Sequence, residues 1–267
     1  MRVNDITCTD HNRSFTRYPS DMSDAEWAVS APFASPPRPG GPPRTDMREV
    51  MNAILYMAGS GIAWRMLPKD IPTVSTVRGY FYAWRNDGTL ALMNYAPVQA
   101  VRELEGKEPC PNAGIIDSQS VKTMENGRFC GNNASKRIKG RKHHIVTDTN
   151  GFRVGLVVHS AAIQDRDGAV PTLQSIRRFY PFLRHIFADG GYSGDKLKET
   201  LNGKGDWTFE VIRRSNMQKG FAALPRRWVV KRTFAWLGRY RRLAKDWEAS
   251  IAYIRILVRR LARHCYI

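Results

Sequence analysis

His144-Ile-Val-Thr-Asp-Thr149, Asn150-Gly151 and Phe152-Arg-Val-Gly-Leu-Val-Val158 decide how this chain folds. Two apolar, β-branched runs flank an Asn-Gly pair, which supplies the two positive-φ positions of a tight hairpin turn. The segment therefore reads as an antiparallel hairpin, and the elements around it follow in order. Upstream, Ala113-Gly-Ile-Ile-Asp117 is a short apolar run that ends in a carboxylate. Downstream, Asp165 to Tyr180 reads as a helix whose Asp-Arg-Asp start complements the helix dipole. His185-Ile-Phe-Ala-Asp189 is another apolar strand ending in a carboxylate, and Gly190-Gly-Tyr-Ser-Gly194 turns it into a helix over Asp195 to Leu201. Trp207 to Ile212 gives a further strand, and two basic helices close the chain.

Strand, hairpin, helix, strand, helix, strand, helix is the order of an RNase H-like α/β layer, a mixed sheet with flanking helices. Residues 109–267 are assigned to it. Ahead of it, Asp24-Ala-Glu-Trp27 starts a helix, and the Pro/Gly-rich Pro36 to Arg44 cannot continue one. From Thr45, Val50, Ile54, Leu55 and Met57 share one side of a helix that stops near Gly59-Ser-Gly61. Val77, Tyr80, Phe81 and Trp84 mark a second helix over Thr73 to Arg85; Asn86-Asp-Gly88 ends it before a third, Thr89 to Glu105. Arg78 and Arg85 on the middle helix suit a helix-turn-helix, although an ordinary small helical bundle fits the same pattern. Residues 22–108 are thus assigned to a small all-α, helix-turn-helix-like DNA-binding domain. Residues 1–21 lack apolar periodicity and are assigned to a mobile leader, with Met22 as an alternative start.

Of 267 residues, 42% are apolar, which is enough for one large or two small domains. Lys and Arg number 42 against 24 Asp and Glu, a net charge of +18. Such a surplus calls for an extended polyanion, because neutralising phosphates releases condensed counterions. Nucleic acid leads over an anionic membrane surface, since the chain has neither an apolar stretch of about 18 residues nor a signal segment. A cytoplasmic, nucleoid-associated protein is expected. Cys8, Cys110, Cys130 and Cys265 lie far apart with no CxxC pair, so neither a zinc knuckle nor a disulfide framework is indicated. His143 and His144 are adjacent and point to opposite faces of a strand, which argues against shared metal ligation.

Asp117 and Asp189 each end an apolar strand, 72 residues apart, so any site they share is made by the fold. Paired carboxylates repel unless a cation sits between them, and Mg²⁺ prefers hard oxygens with water completing its shell. Two such ions about 4 Å apart can assist a phosphodiester displacement. The plainer alternative is that each aspartate merely caps a turn.

Several longer stretches carry a resemblance. Ile116-Asp-Ser-Gln-Ser-Val-Lys122, Gly140-Arg-Lys-His-His-Ile-Val-Thr-Asp-Thr149, Ile163-Gln-Asp-Arg-Asp-Gly168, Phe187-Ala-Asp-Gly-Gly-Tyr-Ser-Gly194 and Arg227-Trp-Val-Val-Lys-Arg-Thr-Phe-Ala-Trp-Leu237 resemble the IS5-family insertion-sequence transposases, bacterial DDE enzymes. Met22-Ser-Asp-Ala-Glu-Trp27 and Trp64-Arg-Met-Leu-Pro68 resemble that family's helical DNA-binding region. The resemblance implies a nuclease and strand transferase using Mg²⁺ (or Mn²⁺). It would cut at the terminal inverted repeats of its element and join the freed 3′ ends to target DNA, as a homodimer on double-stranded DNA. Asp117 and Asp189 match the first two catalytic acids. The third is a Glu where this chain has Lys231. An ammonium donates but offers no lone pair, so it cannot hold Mg²⁺. Glu248 is the nearby acid, 17 residues on, and the stretch around Ser250 to Ala252 looks shortened. The expectation is a decayed copy with weak or absent transposition; the competing expectation is a catalytically silent DNA-binding repressor of a sibling element.

Two basic regions complete the reading. Arg128, Lys136, Arg137, Lys139, Arg141 and Lys142 fall between Asn126 and His144 without an acidic residue, as a flexible loop tracking phosphates would, or as a merely solvated loop would. From Val211 to Ile267 there are 15 Lys and Arg against Asp246 and Glu248, and Arg226, Arg227, Arg232, Arg241 and Arg242 are the candidate DNA contacts. Arg255, Arg259, Arg260 and Arg263 form a stripe expected to face phosphate, opposite a core-forming stripe of Ile254, Leu257, Val258 and Leu261.

Overall fold

The computed structural model describes residues 16–34, 45–122, 130–212, 227–237, 254–255 and 257–262. Helix α1 (Asp24–Ser30) opens with a capping box, in which Ser23 Oγ accepts from Glu26 N at 3.2 Å and Glu26 Oε2 accepts from Ser23 N at 2.9 Å. Two amides that a helix start leaves open are thereby satisfied. α2 (Met47–Ser60) ends at Gly61, whose φ of 75° is the left-handed conformation that glycine adopts at no steric cost. α3 (Val74–Asn86) and α4 (Thr89–Leu104) follow, separated by Asp87-Gly88. Val50, Ile54, Val77, Phe81 and Trp84 meet in one apolar cluster, as their spacing predicts.

Residues 16–21, expected in a leader, belong to this packing. The Tyr18 ring lies 4.7 Å from that of Tyr56, Arg17 pairs with Glu49 at 2.7 Å, and Met22 N donates to Asn52 Oδ1 at 2.9 Å. One ring contact and a few polar ones hold a segment that has no periodic signal to reveal it.

Strands β1 (Ala113–Lys122), β2 (Gly131–Asn133), β3 (Ile138–Asp148), β4 (Arg153–Ser160), β5 (His185–Ala188) and β6 (Thr208–Val211) form one mixed sheet. β2 and β4 share one edge of β3, and from its other edge the order runs β3, β1, β5, β6. Pairing is antiparallel up to β1 and parallel from β1 through β5 to β6. The β3–β4 turn lies at the expected Asn150-Gly151, but only Gly151 takes a positive φ, 92°, because Asn150 is held by the Asp148 side chain, whose Oδ1 accepts from Asn150 N at 2.9 Å and Phe152 N at 2.8 Å.

Neighbouring residues on these strands bury on opposite faces. Ile115, Ile145 and Phe187 join one cluster with Val230 and Phe234 of α7 (Arg227–Leu237), whereas Ile116, Val146 and Ile186 join another with Leu173 of α5 (Asp165–Ile176) and Leu197 of α6 (Asp195–Leu201). Helices on both faces explain why the strands read as continuous apolar runs rather than alternating ones. The helical region and the sheet also share elements. α4 gives Leu90 and Met93 to the helical cluster and Val98 and Val101 to the sheet, and continuous packing crosses residue 108. Among the described residues no helix is long and apolar enough to cross a membrane.

Candidate functional site

β1 and β5 run parallel and pair as far as Ile115 with Phe187. Asp117 and Asp189 each follow two residues later, so the register brings them level on adjacent strands, which lie about 4.8 Å apart. Contrary to the expectation that Asp117 ends its strand, β1 continues to Lys122, because β3 stays paired with it through Gly140. It is β5 that stops at Ala188, leaving that side of β1 open where Asp117 sits. Both aspartates are half-exposed. Strand alternation puts Asp117 on the face of Ile115, the face covered by α7.

Each carboxylate is already oriented by the backbone. Asp117 Oδ1 accepts from Ser118 N at 2.7 Å, and Asp189 Oδ1 caps the turn Gly190–Tyr192 through Gly191 N at 2.9 Å. Behind the pair lies a polar cluster that periodicity did not reveal. Ser118 Oγ donates to Asp165 Oδ1 at 2.7 Å, and the buried Lys142 reaches the same oxygen at 2.8 Å. Burial pushes the Asp165 carboxyl up, but the bonds from Lys142 and Ser118 outweigh it and hold the group below the ordinary carboxylate range. In the sequence Asp165 reads as a helix start, within one of the stretches that carry the resemblance, and not as a partner of Ser118 and Lys142. Burial lowers His144 to about 3, with His159 adding to the effect, and lowers His143 to about 4, helped by Arg141, so both rings are neutral. Among the described residues there is no group of three or more His, Cys, Asp or Glu side chains that could hold a metal ion.

The expected DNA-facing cations divide. Lys136, Arg137 and Lys139 are exposed at the turn between β2 and β3, so this part of the flexible loop is in fact a hairpin arm. Arg141 is half-buried in β3. Lys142 is 4% exposed and committed to Asp165 and to Ile163 O, which removes it from the surface. Arg128, Arg226, Arg241, Arg242, Glu248 and Arg263 lie outside the described residues, and Arg227 is known only as the first residue of α7. Arg232 packs inward, against expectation. Its guanidinium lies 4.5 Å from the Trp228 ring and 4.8 Å from that of Trp236, and Nη2 donates to Asn150 O at 2.7 Å. The C-terminal stripe is likewise used internally, since Arg255 donates to Pro19 O at 2.6 Å, Arg259 to Glu26 at 3.2 Å, and Arg260 pairs with Glu105. Lys231 is exposed on α7, a helix without an acidic residue. On α3, Arg78 and Arg85 both stack on Tyr82, at 5.5 and 4.8 Å.

The fold is thus a mixed sheet in which Asp117 of β1 and Asp189, just past the end of the parallel β5, each lie two residues beyond the Ile115–Phe187 pair. Residues 108–262 match the family described as "Transposase DDE domain", and residues 22–94 match "Putative transposase of IS4/5 family". The chain belongs to the insertion-sequence transposases with a DDE domain. It is similar to the "Putative transposase for insertion sequence element IS402" of Burkholderia cepacia, with 34% identity over 141 residues, 50% of this chain and 64% of that protein. The match thus covers less than two thirds of that relative's length. No solved structure matches.

Proposed function

We propose that this chain binds the terminal inverted repeats of its own insertion sequence, and that Asp117 and Asp189 hold the divalent ions used in strand cleavage and transfer. The observation that carries this reading is the level placement of the two aspartates beyond the Ile115–Phe187 pair. The strand order, antiparallel and then parallel across β1, supports the RNase H-like class. Hard, half-exposed oxygens on adjacent strands fit Mg²⁺ or Mn²⁺. Such ions, when bound, activate an attacking oxygen and stabilise a leaving one at phosphorus. The chain's own contribution is preorganisation, because backbone amides orient both carboxylates in advance. Lys136, Arg137 and Lys139 track the phosphate backbone, and the Arg78–Tyr82–Arg85 stack of α3 contacts end DNA. Engaging two ends calls for a homodimer, working at the nucleoid.

Lys231 weakens the chemistry of this copy. α7 covers the face of Asp117, which is where a third acid would stand, and it carries a cation instead. The same residue favours a second reading, a silent occupant of the ends that represses an active sibling. Cleavage and gel-shift assays on end DNA separate the two. The native chain is expected to shift DNA and nick it weakly, and Lys231→Glu to nick it at least about 10-fold faster, one lost catalytic contact being worth about 1.4 kcal/mol or more. Shifting without any nicking by either protein favours the repressor, and equal robust Mg²⁺-dependent cleavage by both refutes the decay.

A further inference from the structure

Arg177 and Arg178 follow α5, Arg184 directly precedes β5, and Asp206 and Trp207 directly precede β6. The fold gathers all five around one cavity of about 550 Å³, a size suited to a small polar group. Two of the guanidinium groups are held in place there. Arg177 Nη1 donates to Lys204 O at 2.5 Å, and Arg184 pairs with Asp206. Arg178 is exposed and pairs with no carboxylate among the described residues. Three arginines against one aspartate leave the lining with a net charge of +2, and the exposed Lys204 adjoins it. Like charges gathered round one concavity repel unless an ion of opposite sign sits between them. The Trp207 ring adds a flat apolar wall, packed so closely on Gly205 that a methyl group there would lie 2.5 Å from it.

We propose that this cavity is a phosphate site for a second DNA segment, distinct from the end DNA engaged beside the aspartates. The inference rests on the reading of the chain as a transposase that binds end DNA. β5 and β6 run parallel, so residues that precede both strands share one end of the sheet, whereas Asp189 lies past the other end of β5. From Arg184 to Asp189 the extended chain covers about 16 Å, at about 3.3 Å per residue. The edge strand β6, which runs between these two ends, carries the exposed Glu210 and no Lys or Arg, so no basic track along it joins the cavity to the aspartates. Guanidinium forks bind phosphate oxygens in a bidentate manner, and an indole packs on sugar or base. Phosphate contacts carry no sequence information, which suits a duplex taken up regardless of its sequence.

A two-duplex gel shift with the full chain tests this. A labelled end duplex is first bound to saturation, and a duplex of unrelated sequence is then added, its uptake read as a further shift. The native complex is expected to take up the second duplex. Arg178→Ala combined with Arg184→Ala is expected to weaken that uptake about 10-fold and to flatten its slope of log K against log salt by about 1.8, near 0.9 for each phosphate contact. End-DNA binding by the same variant is expected to change less than about 2-fold, since its phosphate contacts lie elsewhere. Arg178→Ala alone breaks no ion pair and is expected to remove about half of that slope, with an unchanged urea midpoint showing that the fold is intact. A native complex that takes up no second duplex, or a slope that both variants leave unchanged, overturns the inference while the end-DNA shift leaves the transposase reading standing. An equal loss of end-DNA binding also overturns it, by making the cavity part of the end site. Failure of the native chain to shift end DNA removes both.

Discussion

At Gly168 the chain dispenses with a side chain so that α5 can rest on the His144 ring. A methyl group there would lie 2.2 Å from His144 Cε1, closer than atoms pack. Alanine normally stabilises a helix over glycine by about 0.5–1 kcal/mol, but overpacking a filled core costs about 1–3 kcal/mol. The clash wins. Gly168→Ala is therefore expected to lower the urea unfolding free energy by about 1–2 kcal/mol. Gly79→Ala in α3, where nothing lies within 4 Å, is expected to raise it by about 0.5–1 kcal/mol. Shifts of the same sign at both positions would contradict this account. Lys142 carries the corresponding lesson about legibility. Its charge placed it among DNA-facing cations, yet the parity of β3 turns it inward toward Asp165, and a charge count is blind to parity.

α7 shows what one element gains from its cap on another. Arg232 bonds the carbonyl of Asn150, Thr233 Oγ1 donates to Gly151 O at 2.8 Å, and a methyl group at Gly151 would meet Val229, Arg232 and Thr233 at 3.1–3.2 Å. The helix is therefore seated on the β3–β4 turn through groups that leave no room for a larger residue. Arg232→Ala is expected to destabilise the fold by about 1–3 kcal/mol, from the lost carbonyl bond and two ring contacts, while leaving the salt dependence of DNA binding unchanged. Replacing Lys136, Arg137 and Lys139 together with Ala is expected to do the reverse, flattening the slope of log K against log salt by about 2.7, near 0.9 for each phosphate contact. A slope moved by Arg232→Ala and untouched by the triple variant would invert these assignments. The hairpin turn and the helix were both legible from local pattern. Their docking was not, because Arg232 reads as a free cation until Trp228, Trp236 and Asn150 are known to surround it.

Across the whole molecule, acid is the expected point of weakness. His143 and His144 stay neutral in the folded protein down to about 4 and about 3, through burial first and neighbouring charge second. Unfolded histidine takes up its proton near pH 6.5, at about 1.4 kcal/mol per pH unit for each group. Below that pH the unfolded chain binds more protons than the folded one, so stability is intact above about pH 6.5 and drains away as pH falls toward 4. The urea midpoint is expected to be level above pH 7 and to fall steeply between pH 6.5 and 4.5, with His144→Gln showing a shallower fall. A midpoint unchanged from pH 7.5 to 5 would rule out neutral buried rings. The order of the longer strands and helices, the mixed sheet and the Asn-Gly turn follow from the residues alone, because periodicity and turn chemistry are written along the chain, whereas the short β2 does not. Only the tertiary structure decided that the β1–β5 register carries Asp117 and Asp189 to corresponding positions, that Asp165 bonds Ser118 and Lys142, and that Lys142, Arg232, Arg255, Arg259 and Arg260 are used within the fold. Those outcomes depend on strand register and on distances between residues remote in sequence, about which local pattern carries no information.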